Sequence, residues 1–219
     1  MGTEAATAGM RRGMPEKRQA ITRAARAVFG REGYSRASVD VIAVEAGVSK
    51  RTIYNHFTDK EELFQTVALE GAEQVTEAVG QILERHLRKV VDVREDLIAF
   101  GLERVAAVTE FPDHFALVRT IEAEVTRIPA ALLEVWKDVG PLSSHKKLAP
   151  YLRRIADLGL LVLDDAERAA NHFNLLTITD VNQRTFYGAL PLSETEISDV
   201  VVDGVDTFLR LYGPGAAAR

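Results

Sequence analysis

Between Ser38 and Phe57 the chain carries the same local pattern twice, a serine followed by a short run with helical spacing, with a glycine between the copies. Val39, Ile42, Ala43 and Ala46 fall on one face of the first run. Ser38 and Ser49 are suited to N-capping, because each hydroxyl accepts from the free amides of a first helical turn. Gly47 takes the positive φ that a tight turn needs, and Ala43 is small enough to let a second helix approach. Val48 and Ile53 then fill the angle between the two helices. The stretch reads as a helix-turn-helix.

What the second helix exposes follows from that register. Lys50, Arg51, Thr52, Tyr54, Asn55 and His56 are hydrogen-bond donors or amphipathic, and no acidic residue lies between Ser49 and Thr58. At about 1.5 Å per residue, some eight residues span about 12 Å, the width of a major groove. The net charge of −5 argues against a chain basic all over, but residues 1–60 carry a balance of +5 and residues 61–219 one of −10. A basic end is therefore joined to an acidic body. Charge alone leaves two readings open, a nucleic-acid contact confined to the first quarter and a solvated basic helix.

The rest of the chain is organised by helical periodicity and proline. Residues 1–14 are small, polar and aperiodic and read as a disordered arm, whose Arg11 and Arg12 are suited either to a minor groove or to solvent. Ile21, Ala24, Ala25, Val28 and Phe29 then form the stripe of a first helix. Asp59 with Glu62 opens a long helix. Prolines 112, 129, 141 and 191 divide the remainder into helical pieces near 91–109, 113–127, 130–139, 143–158, 165–187 and 193–212, two of them opened by capping boxes, Asp164 with Glu167 and Ser193 with Glu196. Pro150 lies inside one piece and is expected to kink or split it. No strand alternation is found. The expected fold is all-α, with a three-helix N-terminal domain over 15–65, a bundle of about six helices over 66–213 and a flexible tail at 214–219.

Several function classes are set aside. The absence of cysteine excludes disulfides, thiolate catalysis and cysteine-held zinc. The five histidines are widely spaced, without a metal-ligand pair, and there is no phosphate loop or nucleophile elbow, so no metal, cofactor or catalytic residue is expected. The longest clearly apolar stretch, 158–163, is far short of a membrane span and no leader opens the sequence, so a cytoplasmic protein is expected.

The residues Ala27, Phe29, Gly33-Tyr34, Ser38-Val39, Ile42-Ala43, Ala46 to Lys50, Thr52 to Tyr54, His56-Phe57 and Asp59 to Phe64 together resemble the DNA-binding domain of the TetR family of bacterial transcriptional regulators. Beyond about residue 65 the resemblance is one of length and helix number. It implies a homodimer, usually a repressor, that binds a palindromic double-stranded DNA operator and is released by a small-molecule inducer. It also implies that Tyr54, His56 and Lys60 meet phosphates and that Thr52 meets phosphate or thymine. Lys50, Arg51 and Asn55 occupy the variable positions where base choice resides; many relatives have glycine at the place of Arg51. Ser38 and Ser49 complete the expected DNA-facing set.

For the inducer, polar residues near apolar helix faces are the candidates: Glu103, His114, Trp136, His172, Asn174 and Thr177. For the dimer interface the resemblance points to the last two long helices, with Phe173, Leu176, Val201, Val205 and Phe208 as candidates. The alternative is a helical small-molecule-binding or interaction protein that does not bind DNA.

Overall fold

The computed structural model describes residues 3–215; the side chains of 1–14, 141, 142, 144 and 145 lie outside the description, as does the expected tail beyond Gly215. Among the described residues all regular secondary structure is helical, without strands. In chain order the helices are α1 (Thr3–Glu32), α2 (Val39–Glu45), α3 (Lys50–Tyr54), α4 (Lys60–Leu87), α5 (Val93–Glu110), α6 (Pro112–Ala123), α7 (Ala130–Val139), α8 (Pro141–Asp157), α9 (Ala166–Asn174), α10 (Asp180–Thr185) and α11 (Glu194–Tyr212). A 3₁₀ turn, Val125–Arg127, follows α6, and a π-helical turn, Leu175–Thr179, joins α9 to α10.

Helical backbone begins at Thr3, where the sequence leads to the expectation of a disordered arm; alanine, methionine and arginine there are good helix formers. Arg11 and Arg12 fall among the residues whose side chains are not described. Pro150 sits inside an unbroken α8 and does not split it. The cap of α9 is Asp165 rather than Asp164: its carboxylate accepts from the amides of Glu167 and Arg168 at 2.9 and 3.0 Å. Ser193 and Glu196 form the full reciprocal capping box of α11.

The chain divides into two compact units, one of residues up to 71 together with 113–136, the other of 72–112 and 137–219. This differs from a division at 65/66, because Leu117, Ile121, Ile128 and Leu132 pack into the N-terminal core. In that core Ile21, Ala25, Val28 and Phe29 of α1 are fully buried with Ile42, Ile53, Leu63 and Phe64. Phe29 meets Phe64 edge-on at 5.0 Å.

The second unit is built on three buried phenylalanines. Phe173 lies 5.6 Å from Phe100 and 5.4 Å from Phe208, and all three are almost fully buried. Arg94 clamps α5 to α11 by donating from Nε and Nη2 to the two carboxylate oxygens of Asp206, at 2.6 and 3.0 Å. At the π-helical turn the carbonyl of Leu176 comes so close to α11 that a Cβ on Gly204 would stand 2.2 Å from it. Glycine is therefore required at 204 for this approach.

Candidate DNA-binding face and effector cleft

The turn between α2 and α3 is held by backbone chemistry that the sequence encodes locally. Gly47 (φ +64°) donates to Val44 O at 3.1 Å and Val48 to Ala43 O at 3.0 Å, the two bonds of a Schellman closure. Ser38 accepts from the Asp40 amide at 3.2 Å and Ser49 from the Thr52 amide at 3.1 Å, so both serines cap. The α3 helix has five residues rather than eight, although Asn55 and Phe57 continue the i to i−4 bonding by donating to Arg51 O and Ile53 O. Ile53 and Phe57 are buried, while Lys50, Arg51, Tyr54 and Asn55 are exposed and Thr52 and His56 half-buried.

Two of these residues are already engaged. Lys50 Nζ donates to Asp40 Oδ2 at 2.9 Å, a pairing that raises the Lys50 pKa above its ordinary value. The sequence shows no acid within the second helix; the turn brings one from the first. Lys60 Nζ donates to the carbonyls of Tyr34 and Ala37 at 2.9 and 3.3 Å and lies 4.8 Å from the centre of the Tyr34 ring. Two of its three ammonium hydrogens therefore tie the start of α4 to the α1–α2 loop. Arg51 makes no ion pair among the described residues. On the far side of the loop, Ser35 donates from its amide and hydroxyl to Glu124 Oε2 at 2.9 and 3.2 Å, a link across 89 residues that no local pattern reveals.

In the second unit α5, α10 and α11 border a cleft of about 710 Å³, within the range of small-molecule pockets. Its walls are mostly apolar, with Leu102 and Val105 of α5, Leu190 and Leu192 of the following loop and Ile197 of α11; Asn182, Thr185 and Ser198 add polar groups. The loop that edges it holds three successive left-handed residues, Phe186, Tyr187 and Gly188, two of them lacking the freedom of glycine.

None of the six residues expected at an effector site lines this cleft. His114 and Trp136 belong to the first unit and the other four to the second. Glu103 accepts from Arg85 and contacts His86 Nε2 at 2.5 Å; burial, and then Arg85, lower the His86 pKa. His172 Nδ1 lies 2.7 Å from the Tyr212 hydroxyl. Asn174 and Thr177 donate to Ala170 O and Phe173 O within their own helix. Apolar faces were legible in the sequence, but which interior polar group found a local partner was not.

Four of the five expected dimer-facing residues lie inside the protomer. Phe173, Val201, Val205 and Phe208 are fully buried in the protomer's own core, and only Leu176 is partly open. The outward side of α10 and α11 instead presents Leu176, Asp180, Arg184, Glu196, Val200 and Asp203 around a shallow groove. An amphipathic stripe locates a buried face without saying what buries it.

Comparison with known proteins bears on both units. Residues 21–67 match the family described as bacterial regulatory proteins, tetR family. Residues 95–214, more than half of the chain, match that described as AefR-like transcriptional repressor, C-terminal domain. The chain belongs to the TetR family of transcriptional regulators. Among TetR-family structures, a regulator from Mesorhizobium loti MAFF303099 superimposes with a TM-score of 0.82 at 29% identity, covering 91% of this chain and 98% of that one. The repressor AcnR of Corynebacterium diphtheriae is 35% identical over 83 residues, 38% of this chain and 40% of AcnR. The activator FasR of Mycolicibacterium smegmatis is 36% identical over 117 residues, 52% of this chain and 50% of FasR. The helix-turn-helix is thus the DNA-binding domain of a TetR-type regulator. Among the described residues no helix is long and apolar enough to cross a membrane.

Proposed function

We propose that this regulator works as a cytoplasmic homodimer that represses transcription by binding a palindromic operator and leaves it when a small-molecule inducer occupies the second unit. The observation that carries this reading is the face of α3, where Arg51, Tyr54 and Asn55 stand exposed on a helix without a carboxylate of its own. Arg51 and Lys50 suit the O6 and N7 acceptors of guanine, and Asn55 suits N6 and N7 of adenine. Tyr54, His56, Thr52 and the third hydrogen of Lys60 supply phosphate contacts, with Ser38 and Ser49 holding the two helices in register. One such helix reads few bases, so twofold pairing over half-sites about one turn apart supplies the specificity.

Release follows from differential affinity: an inducer that prefers the conformation unable to span both half-sites lowers operator affinity by that preference. The cleft gives the second unit room for such a molecule, and α4 is one unbroken helix shared by both units. The chain acts by binding rather than by catalysis. The AefR-like repressor description and AcnR favour repression, and FasR makes activation the alternative.

A mobility-shift titration with the DNA upstream of its own gene tests the reading. A shifted dimer complex whose affinity falls steeply with salt is expected, because phosphate contacts release counterions. A protein that stays a protomer and binds no palindromic fragment at low ionic strength would overturn it.

A further inference from the structure

Arg104, on α5, is a buried cation without a counter-charge. Its residual exposure is 9%, and its Nε and Nη1 are shielded from solvent with no hydrogen-bond partner. Burial lowers its pKa to about 10, so the guanidinium stays charged at neutral pH. The acids of the same helix are committed elsewhere: Glu95 pairs with Arg94, Glu103 binds Arg85 and His86, and Asp96 accepts from the amides of Val91 and Asp92. Glu110 is exposed at the helix end. An interior charge of this kind is expensive unless an anion completes it.

The chemistry of the missing partner follows from the donor and its setting. A guanidinium presents its N–H groups as a planar fork that matches a carboxylate bidentately. On α5 Arg104 shares its side with Leu97, Phe100 and Ala107, each buried, so the surroundings of the guanidinium on this helix are apolar and favour an anion carried on an apolar body. The cleft faces a different side of α5, through Leu102, Val105 and Ala106, and Arg104 does not line it.

We propose that Arg104 anchors the effector, and that the effector is an apolar small molecule bearing a carboxylate. This rests on the reading that the second unit takes a small-molecule effector; it adds the ligand's charge and moves its anchor from the cleft to the inner side of α5.

The test measures thermal stability of the full chain with benzoate, phenylacetate, hexanoate and octanoate, each against its primary amide, for wild type, Arg104→Met and Arg104→Lys. At a hundredfold excess over Kd, a carboxylate that pairs with Arg104 raises Tm by about 5–10 °C. The expected result is a saturable rise with at least one acid, absent with its amide, lost in Arg104→Met and reduced in Arg104→Lys. Arg104→Met alone is expected to melt above wild type, since it removes an unpaired interior charge. If Arg104→Met does not fold, Arg104→Lys and the acid–amide contrast in wild type decide. No acid raising Tm, or acid and amide acting alike, overturns the proposal, as does an acid that stabilises both variants as fully as wild type. Operator binding of the ligand-free protein is measured in parallel: its failure beside a positive acid response sinks the regulator reading and leaves the anion site standing.

Discussion

Lys50 on α3 and Asp40 on α2 form an ion pair at 2.9 Å that joins the two helices of the helix-turn-helix. Both side chains are well exposed, at 48% and 68%, so the pair contributes little to stability, but it occupies the ammonium to which the proposed function gives a base contact. In the proposed DNA complex, Asp40 would also add a negative charge to the face that meets the phosphates. Asp40→Asn is expected to tighten DNA binding about two- to fivefold at low salt without changing Tm. Titrating matched and unrelated duplexes checks this; unchanged affinity for both would show that the pair is spectator to binding.

Arg51 and Tyr54 are expected to separate base reading from backbone grip. Arg51→Ala should cost about 1–3 kcal/mol at one base-pair position and relax preference there, whereas Tyr54→Ala should weaken all duplexes alike. Affinities on an operator and its single-base variants distinguish the two. Equal losses everywhere for both substitutions contradict the assignment.

Gly47 isolates the cost of a backbone conformation. A Cβ there would meet nothing within 4 Å, so Gly47→Ala adds only the strain of φ +64°. We expect a loss of about 1–2 kcal/mol, with Gly47→Asn milder because asparagine tolerates the left-handed region better. Chemical denaturation of the three proteins measures the order.

Gly204 is the opposite case, a steric one. Its Cβ would stand 2.2 Å from Leu176 O and 2.8 Å from Leu176 C, so the clash is with backbone rather than with the end of a flexible side chain. Gly204→Ala is expected to destabilise the second unit by about 1–3 kcal/mol and to cost more than Gly47→Ala. Amide exchange that rises first around 175–179 and 201–208 would locate the damage.

Stability should decline on the acid side. Asp206 is held below its ordinary pKa by hydrogen bonds from Arg94, Glu196 by Ser193, Glu62 by the Thr58 amide and Asp165 by the Arg168 and Glu167 amides. A carboxylate with a depressed folded-state pKa stabilises fully above its unfolded value, about 4, and that contribution disappears as pH falls through the depressed value. Tm is therefore expected to be flat from pH 7 to about 5 and to drop below about 4. Asp206→Asn should lower Tm at pH 7, with the gap to wild type closing in acid; a constant gap would remove the Arg94 pair as its source.

The sequence by itself determined the helices and the turn that positions α3. Capping serines, the glycine at 47 and the stripe of Ile21, Ala25, Val28 and Phe29 are local signals, and α5 to α8 and α11 lie close to where periodicity and proline place them, whereas the start of α1 at Thr3 and the π-helical turn after α9 do not follow from them. Tertiary structure decided what the helices do to one another. It brought Asp40 to Lys50, set Glu124 against Ser35 across 89 residues, and enclosed Phe173, Val201, Val205 and Phe208 in the protomer's core. It left Arg104 buried without an acid. Helical periodicity fixes which side of a helix is apolar, because that depends on neighbours three and four residues away. Which partner covers that side, and which buried charge is left alone, depends on contacts between distant segments that no local pattern encodes.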